Sequence, residues 1–215
     1  MSTRKRRVVE HRRRTQRNLL YVAVATVLGI AAVLAVVLSR PGTSTTAATP
    51  QVRPVSTTGN PLPRFDTATS DAAVGMTIPT VTGTSFDGSP VSISNDGKAK
   101  VVLFVAHWCP HCRREVPLLA SALRQTPLPP NVEMITISTG VNANAPNYPP
   151  SEWLAGVKWP TPVLADDGES SAASAYGLTG FPYFVFVDAH NQVVARSSGE
   201  MPLADFNQHV AAVGK

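Results

Sequence analysis

Cys109 and Cys112 are the only two cysteines in 215 residues, and they bracket Pro110-His111 at a sharp change of pattern. Before them runs Val101-Val102-Leu103-Phe104-Val105, an apolar, largely β-branched stretch suited to a strand buried on both faces. After them, Val116, Leu119, Ala120 and Leu123 recur at helical spacing while Arg113, Arg114 and Arg124 can face water, which predicts a helix over 110–125 kinked at Pro117. The cysteines therefore sit at a strand-to-helix junction. Proline suits the first helical position, because the N–H it lacks would find no partner there. The helix's unpaired N–H groups and positive dipole end then face Cys109 and favour its thiolate. His111 adds a donor and, when protonated, a positive charge with the same effect. Trp108 reads as a packing platform and lid beside that sulfur. A purely structural Cys109–Cys112 bond would close so short a loop that it removes little unfolded-state entropy. A redox-active pair is the better expectation.

The chain's charge is unevenly placed. Residues 1–18 hold eight Lys or Arg against one Glu, a local +7, which leaves −2 for the remainder of a chain whose formal total is +5. Leu19 to Leu38 is 20 residues without a charge, and at about 1.5 Å per residue a helix of it spans roughly 30 Å, enough to cross a bilayer. With the arginines before it, the positive-inside rule puts 1–18 in the cytoplasm as a basic tail, 19–38 in the cell membrane as a single anchor, and everything after it outside. A cleaved signal is the rival, but the core exceeds the usual length and Ser39-Arg40-Pro41-Gly42 offers no small-x-small site. The Arg run is thereby explained without nucleic acid, for which no flanking aromatics or folded module speak. Residues 39–74 turn to Thr, Ser, Ala and Pro with almost no apolar periodicity and read as a flexible, disordered linker.

The remaining 75–215 is near the commonest single-core size. Strand-like pieces lie in 76–94, broken by Phe86-Asp87-Gly88, and again in 132–138, 161–165, 183–187 and 192–196. Short helices are expected over 150–157 and 169–176, the latter ended by Gly177, and an amphipathic one over 203–213. Ala189-His190-Asn191 reads as a hairpin turn. An order of β-α-β-α closing with β-β-α implies an α/β fold, a mixed sheet flanked by helices on both faces.

Four pieces in this order carry a resemblance: Phe86-Asp87-Gly88 with Val91-Ser92-Ile93, then Trp108-Cys109-Pro110-His111-Cys112-Arg113-Arg114-Glu115-Val116-Pro117, Pro162 to Asp166, and Gly180 to Asp188. From Met76 onward the chain resembles the membrane-tethered TlpA-like branch of the thioredoxin superfamily. The resemblance implies a thioredoxin-like fold in which Cys109 is the exposed nucleophile and Cys112 the buried resolving thiol, the two forming a disulfide when oxidised. It also implies that Pro182 follows a cis peptide bond beside that disulfide and that the backbone of Phe181 pairs with an extended substrate segment. Where thioredoxin has a buried Asp six residues before the first Cys, this chain has Leu103. Glu115, on the helical face of Cys112, matches a Glu that recurs in the TlpA-like branch and is assigned proton handling; a surface glutamate paired with a neighbouring Arg is the alternative.

The resemblance implies a protein thiol-disulfide oxidoreductase, its partners being exported proteins with cysteine thiols or disulfides and a membrane redox recycling partner. Pro110-His111 is the dipeptide of strongly oxidising DsbA-type enzymes, which points to the oxidising direction. A reductase or binding factor for cytochrome c assembly, keeping one client's thiols reduced, is the second reading. No cofactor is expected. Zinc would need two further ligands beyond the pair, and haem attachment needs His where Arg113 stands. His107 reads as an exposed loop residue. Tyr148, Trp153 and Trp159 read as core packing in preference to a client groove.

Overall fold

The computed structural model describes Thr26, 49–66 and 70–215. The basic tail and the apolar run 19–38, apart from Thr26, lie outside the described residues, as do 39–48 of the expected linker. From Ala48 onward the chain forms one compact unit. Its strands are β1 (Ser56–Thr58), β2 (Thr80–Thr84), β3 (Pro90–Ile93), β4 (Ala99–Val105), β5 (Val132–Ser138), β6 (Val163–Ala165), β7 (Tyr183–Val187) and β8 (Val193–Ser198). Its helices are α1 (Pro110–Gln125), α2 (Pro150–Gly156), α3 (Ser171–Ala175) and α4 (Leu203–Val213).

The main sheet has the order β6-β5-β4-β7-β8. The first three strands are parallel, whereas β7 runs antiparallel to β4 and β8 antiparallel to β7. Central β4 is buried at every position, Lys100 included through its ion pair with Asp96, which is why 101–105 reads as an unbroken apolar run. Successive side chains alternate between two cores. Val101, Leu103 and Val105 face α1, α2 and α4, together with Val116, Leu119, Leu154, Phe184 and Phe206. Val102 and Phe104 face α3 and the N-terminal strands, with Val81, Ile93, Tyr176, Tyr183 and Val185. The α/β layout expected from the element order is present. One detail of register places the site: Phe104 pairs with Tyr183, so the exit of β4 toward Cys109 lies beside the entry of β7 from Pro182.

The linker expected over 39–74 is shorter than its composition suggests. Residues 49–66 and 70–74 pack against the domain: β1 extends β2, Leu62 and Ala73 are buried, and Leu62 N–H bonds to the Ala175 carbonyl at 2.8 Å. Arg196, buried beneath them, forms an ion pair with Asp71 and donates to the carbonyl of Pro63 at 2.8 Å. These anchors sit more than a hundred residues away in sequence, so local periodicity holds no trace of them. Helix α3 is also shorter than expected. The Asp167 carboxylate accepts from Ser171 N–H (2.9 Å) and buried Asp166 from Ala172 N–H (3.0 Å), so the start of the helix is fixed after Ser170.

Candidate active site

Cys109 occupies the N-cap of α1 and Pro110 its first position. No side chain caps this end and its first turn holds no acid, so the free N–H groups and the dipole are left to the sulfur. Both cysteines are free thiols here, the dithiol form of the pair. The Cys109 thiol donates to the Phe181 carbonyl at 3.7 Å, a weak bond. The Phe181–Pro182 peptide is cis, placing that carbonyl beside the sulfur.

The nucleophile implied as exposed is only 5% exposed. Trp108 and Phe181 pack against the core cluster that includes it, their rings edge-on at 5.7 Å, and Trp108 is fixed by an indole N–H bond of 2.6 Å to the Gly140 carbonyl. Cys112 lies one helical turn inward, fully buried, and burial pushes its thiol far up; the charges of Cys109 and Glu115 push the same way.

Glu115 is not a surface glutamate paired with an arginine. It is buried, one carboxylate oxygen accepts the Met201 N–H at 3.0 Å, and the other is buried with no hydrogen-bond partner among the described residues. Burial pushes its carboxyl up to about 7, opposed by the Met201 bond and assisted by the charge of Glu200. It lines a groove of about 360 Å³ between α1 and the start of α4, with Leu119, Met201, Pro202 and Phe206. Leu103 lies in the same core cluster as both cysteines, so apolar packing fills the place where thioredoxin has a buried acid.

Two expectations need correction. His111 does not turn to Cys109: its Nδ1 lies 2.6 Å from Glu200 Oε1, with Arg114 bound to the same oxygen through Nε at 3.0 Å and through Nη2. The exposed carboxylate outcompetes a weak sulfur acceptor. His107 is fully buried, not an exposed loop residue. Its Nε2 accepts from Asn142 N–H (3.2 Å) and its Nδ1 donates to the Pro146 carbonyl (2.8 Å), while its own carbonyl takes the Asn147 amide (2.9 Å). It pins the loop 142–147 over the back of the site. Trp153 and Trp159 pack against the core, Trp159 donating to Thr136 Oγ1 at 2.9 Å, whereas Tyr148 is 45% exposed. Arg114 and Glu200 were not singled out in the sequence. Arg114 looked like a solvent-facing helix residue, and no spacing rule links position 200 to position 111.

The family model described as Redoxin matches residues 73–211. A thiol:disulfide interchange protein TxlA homologue from Synechocystis is 25% identical over 119 residues, 55% of this chain; the chain spans about half (51%) of that relative's length. Among solved structures, a thioredoxin-family thiol:disulfide interchange protein from Chlorobium tepidum aligns with 25% identity and a TM-score of 0.55, covering 66% of this chain and 97% of that one. Mycobacterium tuberculosis DsbF, in mixed oxidised and reduced forms, aligns with 26% identity and a TM-score of 0.51, covering 61% and 93%. With its cysteine pair at the head of a helix in a thioredoxin-like sheet, the chain belongs to the Redoxin family.

Proposed function

We propose that this protein is a TlpA-like oxidoreductase, anchored in the cell membrane through 19–38, which oxidises the thiols of exported proteins through Cys109-Pro110-His111-Cys112. The observation that carries the reading is the site's one-sided build: Cys109 at the helix start beside the Phe181 carbonyl, and Cys112 buried behind it next to a carboxyl that titrates near neutrality. A client thiolate attacks Cys109 of the disulfide, the S–S electron pair leaves on Cys112, and a mixed disulfide joins client to Cys109. Cys112 cannot keep that charge in its buried position. It takes a proton, which Glu115 in its acid form gives; the carboxyl's burial beside Cys112 on α1 supports this role. A second client thiolate then attacks the client sulfur of the mixed disulfide and expels the Cys109 thiolate. The client has lost two electrons and the pair has gained them; a membrane redox partner restores the disulfide. The backbone of Phe181, preceding Pro182, guides the client segment past the sulfur. Stabilising the leaving Cys109 thiolate favours the dithiol product, which is what makes a pair oxidising.

The test is transfer to a reduced two-cysteine peptide. Oxidised protein is expected to return the peptide as a disulfide and itself as a dithiol, and Cys109→Ser is expected to abolish the transfer. A peptide left reduced at equilibrium would overturn the oxidising direction. Mixed with the peptide in its disulfide form, Cys112→Ser is expected to hold the peptide on Cys109 as a mixed disulfide, and trapping on Cys112 of Cys109→Ser in its place would overturn the choice of exchanging sulfur.

A further inference from the structure

We propose that Glu200 sets the redox poise of the cysteine pair, as a positioning residue that draws His111 and Arg114 onto its own carboxylate and cancels part of the positive charge they offer the Cys109 thiolate. The inference rests on Cys109 being the exchanging sulfur.

Glu200 lies in the loop between β8 and α4, and its two chain neighbours each bond to a residue of the site. Gly199 N–H bonds to the carbonyl of the cis proline, Pro182, at 2.9 Å. Met201 N–H bonds to Glu115 at 3.0 Å. Between them, Glu200 Oε1 receives His111 Nδ1 at 2.6 Å, Arg114 Nε at 3.0 Å and Arg114 Nη2. Three consecutive residues thus strap the client-facing strand entry, the helix's first turn and the buried acid together.

His111 and Arg114 are three apart on α1 and share a face. Arg114 Nη2 also lies 2.9 Å from His111 Nδ1. That nitrogen cannot accept from the guanidinium and donate to Glu200 at once. With a proton it bonds Glu200; without one it accepts from Arg114. Either way the cluster closes on Glu200. The positive charge of Arg114 is held firmly, by Glu200 first and, among lesser causes, by the negative charge of Cys109. His111 and Arg114 stand in the first two turns of the helix that starts at Cys109, so their charge reaches that sulfur only to the extent that Glu200 leaves it free. The facing charged groups are His111, Arg114 and Glu115 on α1 and Glu200 on the loop. Removing the Glu200 charge leaves the cations to the thiolate, stabilises the dithiol form and makes the pair more oxidising.

The experiment is equilibration of the full chain with glutathione, in which protein dithiol and glutathione disulfide exchange two electrons to give protein disulfide and two glutathione thiols. The groups are exposed, so the effect is modest and screened by salt. Glu200→Gln is expected to lower the equilibrium constant toward protein disulfide about threefold at low salt, and by less at ~1 M salt, where the screening length is about 3 Å. Arg114→Gln is expected to raise it. Opposite signs separate charge from structural damage, which moves neither in a salt-dependent way. Constants for Glu200→Gln equal to wild type at low salt, or both variants moving in one direction, would overturn the inference. Wild-type protein that does not equilibrate with glutathione at all would overturn the exchange reading beneath it.

Discussion

Glu115 shows how one burial can change a residue's meaning. Its ordinary value is 4.5 and the fold holds it near 7, chiefly because the carboxylate is buried. Between those pH values the unfolded chain releases its proton first, so the folded protein loses stability as pH rises from about 4.5 to about 7 and then levels. Glu115→Gln removes that dependence. Denaturant unfolding should show the variant gaining about 1–3 kcal/mol on wild type between pH 4.5 and pH 8, a range discounted for partial solvent access. A gap that stays constant with pH would show that the carboxyl is not held protonated by the fold. The sequence placed Glu115 on the helical face of Cys112 but left open a surface pairing with an arginine. Only the fold shows that Met201 takes that carboxylate and that Arg114 goes to Glu200. Residues of α1 were legible because helical spacing is local. Glu200 was not, because its partners lie 86 and 89 positions away.

At the scale of elements, β4, α1, β7 and α4 were readable because each carries its burial pattern within its own span. The cis peptide before Pro182 and the start of α1 at Pro110 stand where the motifs put them. Residues 49–66 and 70–74 of the expected tether were misread because Thr and Pro without periodicity look alike whether solvated or strapped down. They are strapped at Gly177, whose backbone is left-handed (φ +69°) and where an added Cβ would lie 2.2 Å from the Pro63 carbonyl oxygen. Gly177→Ala is therefore expected to cost at least about 2 kcal/mol, from the backbone conformation and the lost seat for the strap. Its denaturant midpoint should fall below wild type. A midpoint that does not move would mean that 61–66 is not seated on the domain.

For the whole molecule, the proposal joins a site that exchanges disulfides to a chain that holds it at a membrane. The full chain should sediment with membranes and resist release by salt, while the same chain lacking 1–38 stays in the supernatant. Full-length protein in the soluble fraction would contradict the anchor. The account's centre is the Cys109 thiolate. It stands at an uncapped helix start, with His111 and Arg114 of the same helix drawn onto Glu200, and whatever stabilises the thiolate favours the dithiol. The reduction potential, measured by equilibration in glutathione buffers with the dithiol fraction read by alkylation, tests this most directly. The expected value is less negative than about −180 mV, on the oxidising side of protein disulfide isomerase and the glutaredoxins, and a value near the roughly −270 mV of thioredoxin would contradict it.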